Sequence, residues 1–436
     1  MNNYNLSVTQ EGKFVRAKNS NKIFFLDKRG SIINITHDIK YEQSFISKNK
    51  KNVLRGIHLS PYDKYVTLLS GKIIDYVIYF NNDEITYDKF IMDSSTNNYL
   101  FIPKYCGHLF IALEDDTNLL YQLCGSYNEN TDININYKDP YINLDIIDNS
   151  SYIVSEKDNN SNFSKNIDYI LFGSTGFLGS EFEKILKKEK KNYIIINTRL
   201  ENYNEIKYKL QLYKPKYVIC AAGISGRPTI AWCDNNKEET FKTNVIDILN
   251  LCEITKNLDI KLVIFGSGSI YRSVINDKKQ DLKQYTEYCN IQKNNDNFYL
   301  KCRNTLEDYI DLYKNVLYLR IQYPICDNDN EKCFIQKMLK RLDAVHDIYI
   351  NITYISNLFP LICKILEDNL YSGVLNFVNP DCIKIADILK SYFIKNNLHY
   401  SFNVEIPDKC CGILNTNKLY NLFPNQVLTT TEIFKL

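Results

Sequence analysis

Residues 169–179 read YILFGSTGFLG, and the second half of the chain is decided by that stretch. Tyr169–Phe172 is a four-residue apolar run suited to a buried strand. Gly173, Ser174, Thr175 and Gly176 then form a turn of small residues, and Phe177–Lys190 sets Phe177, Leu178, Phe182, Ile185 and Leu186 on one helical face. Small residues at a strand-to-helix turn let the backbone approach a pyrophosphate, and the first helical turn offers it unbonded N–H groups. A glycine-rich turn without a ligand is the bland alternative. The strand before and the amphipathic helix after favour the ligand.

The same grammar continues outward. Apolar runs Tyr193–Ile196, Tyr217–Ala221, Leu262–Phe265 and Val316–Ile321 are separated by helical patterns, which predicts a Rossmann-like α/β domain with a doubly wound parallel sheet over 166–436. Residues 1–158 differ. Lys64–Phe80 reads as two strands around Ser70-Gly71, Tyr99–Leu113 and Asn118–Tyr127 add more, and little has a helical period. An all-β antiparallel barrel or jelly roll is expected there. The polar, apolar-poor segment 159–165 is expected to be a linker.

The totals agree with two domains. The 436 residues exceed one comfortable core, and 53 basic against 51 acidic side chains leave a net charge of +2. No basic stripe is visible, so nucleic acid is not an expected partner. Met1–Asn5 lacks the basic patch and apolar run of a signal peptide, and no run approaches the roughly 18 apolar residues that span a membrane. The 13 cysteines are scattered without a C-x-x-C pair, which fits reduced thiols in the cytoplasm.

Gly173, Gly176 and Gly179, at G-x-x-G-x-x-G spacing, resemble the extended short-chain dehydrogenase/reductase family. Ala221-Ala222-Gly223, Thr243-Asn244-Val245, Ser267 at the end of a strand and Tyr299 opening a helix fit the same family. The resemblance implies a nicotinamide cofactor held by Gly173, Ser174, Thr175, Gly176, Phe177, Leu178, Gly179, Thr198, Arg199, Ala221, Ala222, Gly223 and Asn244. The second strand ends without an acid for the ribose hydroxyls, and Arg199 suits a 2′-phosphate, so NADPH is expected, with NADH the other possibility. Ser267 and Tyr299 would polarise and protonate a substrate carbonyl. Arg303 stands where the family has Lys. A free Tyr titrates near ~10, and a fixed positive charge one helical turn away helps it act; Arg supplies the charge in a bulkier planar fork.

Residues 223–233, GISGRPTIAWC, narrow this to a resemblance with the plant-type UDP-4-keto-6-deoxyglucose 3,5-epimerase/4-reductase. Thr198-Arg199-Leu200, Leu319-Arg320, Pro324-Ile325, Phe334–Lys337 and Leu375–Phe377 are similar to it too, so the likeness covers about 165–425. It implies Arg227 and Lys337 as substrate contacts, Arg227 because a guanidinium matches phosphate bidentately. That family epimerises within this one domain, using a Cys two residues after the catalytic Ser/Thr. Ser269 stands there, and a hydroxyl is a poorer proton shuttle than a thiol.

Asp27–Gly30, Leu54–His58 and Ile102–Phe110 resemble dTDP-4-dehydrorhamnose 3,5-epimerase, a cupin-fold family that needs no metal. Lys64, Tyr121, Tyr127, Asp139-Pro140 and Ser155–Asp158 follow in the family's order. The resemblance implies His58 as base with Asp158 orienting it, Lys64 stabilising an enolate oxygen and Tyr121 as acid on the opposite face. It also implies His108 as a second active-site His, Arg29 and Arg55 at the diphosphate, and Tyr127 at the substrate. A lone His is more often a satisfied structural residue; two of the five His falling at family positions reverse that. A metal-binding cupin would need an H-x-H pair, and His37, His58 and His108 have no such spacing, so no metal is expected.

The expectation is therefore a cupin epimerase fused to a 4-keto reductase. Its substrate would be a UDP-linked, alternatively dTDP-linked, 4-keto-6-deoxy sugar, its product a UDP-L-rhamnose-type sugar or the 2-acetamido form, and its assembly a homodimer. A 4,6-dehydratase would carry an acid pair after the catalytic Ser/Thr, where Gly268-Ser269 stand. The rival of a different class is an epimerase fused to a non-catalytic NADP-binding sensor, for which Arg303 speaks.

Overall fold

The computed structural model describes residues 18–20, 23–27, 30–33, 40–81, 84–95, 99–128, 132–146, 151–164, 167–227, 229–276, 279–291, 297–399 and 401–435. They form two compact units, one built mainly on Met1–Asn166 and the other on Ile167–Leu210 and Lys214–Leu436.

The first unit holds two large sheets and a small antiparallel pair, Ile23–Asp27 with Gly30–Ile33. One runs in the order Lys18–Ser20, Tyr99–Ile102, Lys64–Ser70, Thr117–Leu123, Gln43–Asn49, each pair antiparallel. The other runs Ile133–Asn134, Val53–Leu59, Gly107–Ala112, Lys72–Asn81, Glu84–Asp93, also antiparallel, with Ile153–Val154 beside Val53–Leu59 in parallel. Alternate side chains from both sheets, among them Val66, Leu68, Ile73, Val77, Leu100, Phe110 and Leu119, make one buried core. The two strands expected around Ser70-Gly71 are present, but they belong to different sheets. Gly71 turns the chain between them at a φ of +85°, and a Cβ there would lie 2.3 Å from the Thr117 hydroxyl, so only glycine fits.

The segment 159–165, expected as a linker, is instead tied into the first unit through residue 164. Asn160 closes the helix Glu156–Asn159, Asn162 bridges Ile135, and the Ser164 N–H donates to Asp139. The segment is held through its own backbone despite its polar composition.

The second unit carries a six-stranded sheet in the order Tyr193–Ile196, Tyr169–Phe172, Tyr217–Cys220, Lys261–Ser267, Val316–Ile321, Gly373–Asn376, parallel throughout. Tyr169, Leu171, Ile219, Val263 and Leu319 pack with Phe182 of the helix Phe177–Lys188 and Phe359 of the helix Ile355–Glu367. The helices Asp247–Asn257 and Phe298–Ile310 also pack on Lys261–Ser267. Strand order reverses between Tyr169–Phe172 and Tyr217–Cys220, which opens a crevice at their carboxyl ends. A later strand, Lys409–Cys411, lies antiparallel to Arg272–Asn276, with Cys411 opposite Arg272. All thirteen cysteines are free thiols, most of them buried.

Candidate active sites

Register assembles the first site. His58 and His108 are direct cross-strand partners in one sheet, while Lys64 and Tyr121 come from the other. Together with Arg55 and Tyr127 they line one cavity of about 190 Å³. His58 Nε2 lies 2.7 Å from Asp158 Oδ1, and the second Asp158 oxygen accepts the Gly56 N–H at 3.3 Å. Ser155 caps the short helix by accepting the Asp158 N–H at 3.1 Å, which fixes the carboxylate. Burial works against the Asp158 charge, but hydrogen bonding and attraction from His58, with Gly56 and Ser155 adding to them, hold its carboxyl below the usual range. The His58 ring thus meets an ionised partner that fixes its orientation.

Lys64 is buried and its ammonium donates to the His58 carbonyl at 3.4 Å. Burial lowers its pKa to about 8, although Asp132, Cys106 and Asp75 favour the charge. Tyr121 stacks on Phe45 at 5.0 Å between centroids. Burial and Asp75 push its phenol up, with Arg55 opposing, so it stays protonated and able to donate. Arg55 Nε donates to Asn49 at 2.8 Å, and Asn49 is held in turn by the Thr117 carbonyl. Tyr127 sits exposed at the rim and accepts from Lys157 at 3.1 Å. Arg29 lies outside the described residues.

Two acids here were not anticipated. Asp75, fully buried, pairs with His108 at 2.9 Å, and burial raises its carboxyl against the pull of His108. The signal was a lone acid inside the apolar run 73–80. Asp132 accepts from Ser60 at 2.8 Å and Tyr62 at 3.0 Å on the cavity wall. Its polar surroundings in sequence gave no sign of it.

The second site begins at the strand reversal. Gly173 has a φ of +79°, and a Cβ on it would come within 2.5 Å of the Ala222 nitrogen. A Cβ on Gly179 would lie 2.1 Å from the Gly173 carbonyl oxygen. Only glycines allow this close approach of loop, helix and third strand, and Gly176 caps the helix without a side chain. Asn244 both donates to and accepts from the Ile224 backbone, at 2.8 and 2.9 Å, which fixes the loop after Gly223. The cradle fits a dinucleotide pyrophosphate.

Arg303 is buried, and its Nε donates to the Tyr299 hydroxyl at 3.2 Å. Gly223 leaves the space that the Arg303 guanidinium and Asn244 occupy; a Cβ there would lie 3.1 Å from each. Burial opposes the Arg303 charge, but Tyr299 and Tyr318 hold its pKa above the ordinary arginine value. Ser267 ends its strand and caps the turn Gly268–Ile270, accepting the Ser269 N–H at 3.3 Å.

Thr198 departs from expectation. Its hydroxyl points into a buried pair, donating to Glu205 at 2.6 Å and accepting from Lys209 at 2.8 Å, which leaves Asn197 and Arg199 as the exposed side chains at that strand end. Arg227 lies over Trp232 at 5.3 Å and pairs with Glu239 at 3.4 Å. Lys337 is exposed on the helix Phe334–Leu339. Among the described residues no group of three or more His, Cys, Asp or Glu is arranged to hold a metal ion, and no helix is long and apolar enough to cross a membrane.

Residues 23–165 match the family described as dTDP-4-dehydrorhamnose 3,5-epimerase, and residues 169–315 match the NAD dependent epimerase/dehydratase family. The fold and its two sites define a nucleotide-sugar epimerase joined to an NAD-dependent reductase. A bifunctional dTDP-4-dehydrorhamnose 3,5-epimerase/dTDP-4-dehydrorhamnose reductase of Arabidopsis thaliana is 30% identical over 244 residues, 54% of this chain and 77% of that protein. The chain belongs to the family of that bifunctional protein. A trifunctional UDP-glucose 4,6-dehydratase/UDP-4-keto-6-deoxy-D-glucose 3,5-epimerase/UDP-4-keto-L-rhamnose-reductase of the same plant is 28% identical over 301 residues, 65% of this chain but only 44% of the relative's length. The crystal structure of the L780 UDP-rhamnose synthase from Acanthamoeba polyphaga mimivirus shares the fold, with a TM-score of 0.57 at 23% identity over 62% of this chain and 98% of that one.

Proposed function

We propose that the chain epimerises a UDP-linked 4-keto-6-deoxyhexose at C3 and C5 and then reduces its C4 ketone, giving a UDP-L-rhamnose-type sugar. The observation that carries the reading is the His58–Asp158 pair sharing one cavity with Lys64 and Tyr121. In it, His58 takes the proton alpha to the ketone while Asp158 balances the imidazolium. The Lys64 ammonium stabilises the enolate oxygen, and the Tyr121 phenol, held protonated by burial, returns a proton from the other sheet. Arg55 meets the diphosphate and Tyr127 the nucleotide end. The two sheets are read as a cupin-type barrel.

In the second unit Gly173–Gly179, Ala221–Gly223 and Asn244 would hold NADPH, with Arg199 at its 2′-phosphate. Bound NADPH supplies the hydride. Ser267 polarises the C4 carbonyl and Tyr299 protonates its oxygen. Because the Tyr299 oxygen already accepts from Arg303, its own proton is left for the ketone. Arg227 and Lys337 would contact the substrate. Thirteen free thiols fit a cytoplasmic location.

The test is incubation with a UDP-4-keto-6-deoxyhexose and NADPH in D2O, followed by NMR of the product. Deuterium at C3 and C5 with an L-rhamno configuration is expected. Exchange without reduction would favour the sensor alternative, reduction without exchange would remove the epimerase assignment, and preference for a dTDP substrate would correct the nucleotide.

A further inference from the structure

Beside Ser267, at the carboxyl end of the parallel sheet, a chain of donors runs from Tyr323 through Cys411 to the turn Gly268–Ile270. The Tyr323 hydroxyl donates to Cys411 Sγ at 3.3 Å, and the Cys411 thiol donates to Ser269 Oγ, also at 3.3 Å. Ser269 in turn gives its backbone N–H to the Ser267 hydroxyl. These residues come from four places in the chain: Ser267 from the strand Lys261–Ser267, Ser269 from the turn after it, Tyr323 just beyond Val316–Ile321 and Cys411 from Lys409–Cys411.

The direction of these bonds matters more than their number. A thiol has one proton, and a hydroxyl has one proton and two acceptor sites. Since Tyr323 donates into Cys411, the Cys411 proton goes to Ser269 Oγ. The Ser269 oxygen therefore acts as acceptor on its inner side, and its own O–H is free to point outward. Cys411 is buried and Ser269 half-buried, so the relay has a closed end and an open end. Tyr323 keeps a left-handed φ of +39° in this arrangement, a conformation that bulky residues adopt rarely. Burial and the neighbouring Cys411 push its phenol well up, which keeps it a donor.

We propose that Ser269 is a substrate-binding residue of the reductase, donating its O–H to an oxygen of the sugar ring beside the reducible ketone, and that Cys411 and Tyr323 are positioning residues that orient that proton. The inference rests on the reductase reading given above. It assigns a task to the serine that stands where the plant-type family carries its Cys, and it explains why a thiol is buried against that hydroxyl.

The experiment measures NADPH oxidation by the full chain, using a UDP-4-keto-6-deoxyhexose first equilibrated with wild-type protein in the absence of NADPH. Wild type that never oxidises NADPH would sink the reductase reading itself. Given an active wild type, Ser269→Ala should raise KM for the sugar on the order of tenfold with little change in kcat, the pattern of a lost uniform contact. Cys411→Ser, which can still donate to Ser269, should keep the wild-type KM, whereas Cys411→Ala should raise it several-fold and Tyr323→Phe less. NADPH affinity, read by fluorescence, should be unchanged in every variant and reports folding if Cys411→Ala is unstable; Ser269→Ala and Cys411→Ser then decide alone. A wild-type sugar KM in Ser269→Ala, equal damage from Cys411→Ser and Cys411→Ala, or loss of NADPH affinity in Ser269→Ala would each overturn the proposal.

Discussion

Lys64 in the first unit and Arg303 in the second are both buried cations set among hydrogen-bonding partners. Burial opposes the charge of both, yet their pKa values move in opposite directions because Tyr299 and Tyr318 raise that of Arg303. Lys64 is drawn down to about 8, while Arg303 ends above its ordinary value. An ammonium is a compact, strongly hydrated charge that yields its proton when desolvated; a guanidinium is weakly hydrated and keeps it. Position 303, where the reductase family carries Lys, is thus not a loss of function by inspection. In a site this buried, Arg secures a charge that Lys would hold only below some pH.

The largest effect that would break the comparison is at the base of the first unit. His58→Ala should reduce deuterium exchange at C3 by 10²-fold or more, on the order of a positioned base's contribution, while NADPH binding survives. Exchange at the wild-type rate would remove His58 from the chemistry. Next, Tyr299→Phe should slow NADPH oxidation on the order of 10²-fold, and Arg303→Ala should slow it too, leaving C3 exchange intact. If both oxidise NADPH like wild type, the pair on that helix is packing only.

The titration contrast itself gives a smaller signature. Lys64 is charged below its folded pKa of about 8 and neutral above it, so C3 exchange should fall as pH rises through about 8. Lys64→Arg, slower overall, should carry its plateau to higher pH. Reduction should show no basic limb from position 303, and Arg303→Lys should introduce one. A flat exchange profile between pH 7 and 10 would mean that the Lys64 charge is not used. The mildest change expected is at Arg199: Arg199→Ala should cut the preference for NADPH over NADH about tenfold, the scale of one charge-assisted hydrogen bond. Equal kcat/KM for the two cofactors in the wild type would show that Arg199 does not read the 2′-phosphate.

How far the sequence carried differs between the two units for a physical reason. The glycine loop was legible because local spacing builds it, while Asn244, Ser267 and the Tyr299–Arg303 pair were read from resemblance; of these only Tyr299 and Arg303, one helical turn apart and touching, are joined by local spacing. In the first unit the strands were legible from short runs around turn residues with no helical period, but the pairing of His58 with Asp158 joins residues 100 positions apart and came only from resemblance. Asp75 and Asp132 needed register, which no spacing rule supplies. Gly71 was read as a turn, and its transfer of the chain from one sheet to the other depends on Thr117, a contact that exists only after folding. Thr198 shows the converse, a residue at the right place in sequence whose hydroxyl a buried Glu205–Lys209 pair has already claimed.

The Asp158 carboxylate stands at the end of the first unit, while the imidazole it holds stands near the beginning. In the order of synthesis, the ribosome delivers His58, Lys64, His108 and Tyr121 before it delivers the group that orients the base. A nascent chain stopped before Ser155 would own every strand of both large sheets, Ile153–Val154 included, and still lack the carboxylate that holds His58. On the roles proposed for His58 and Asp158, competence for epimerisation therefore arrives late and all at once, with one short helix.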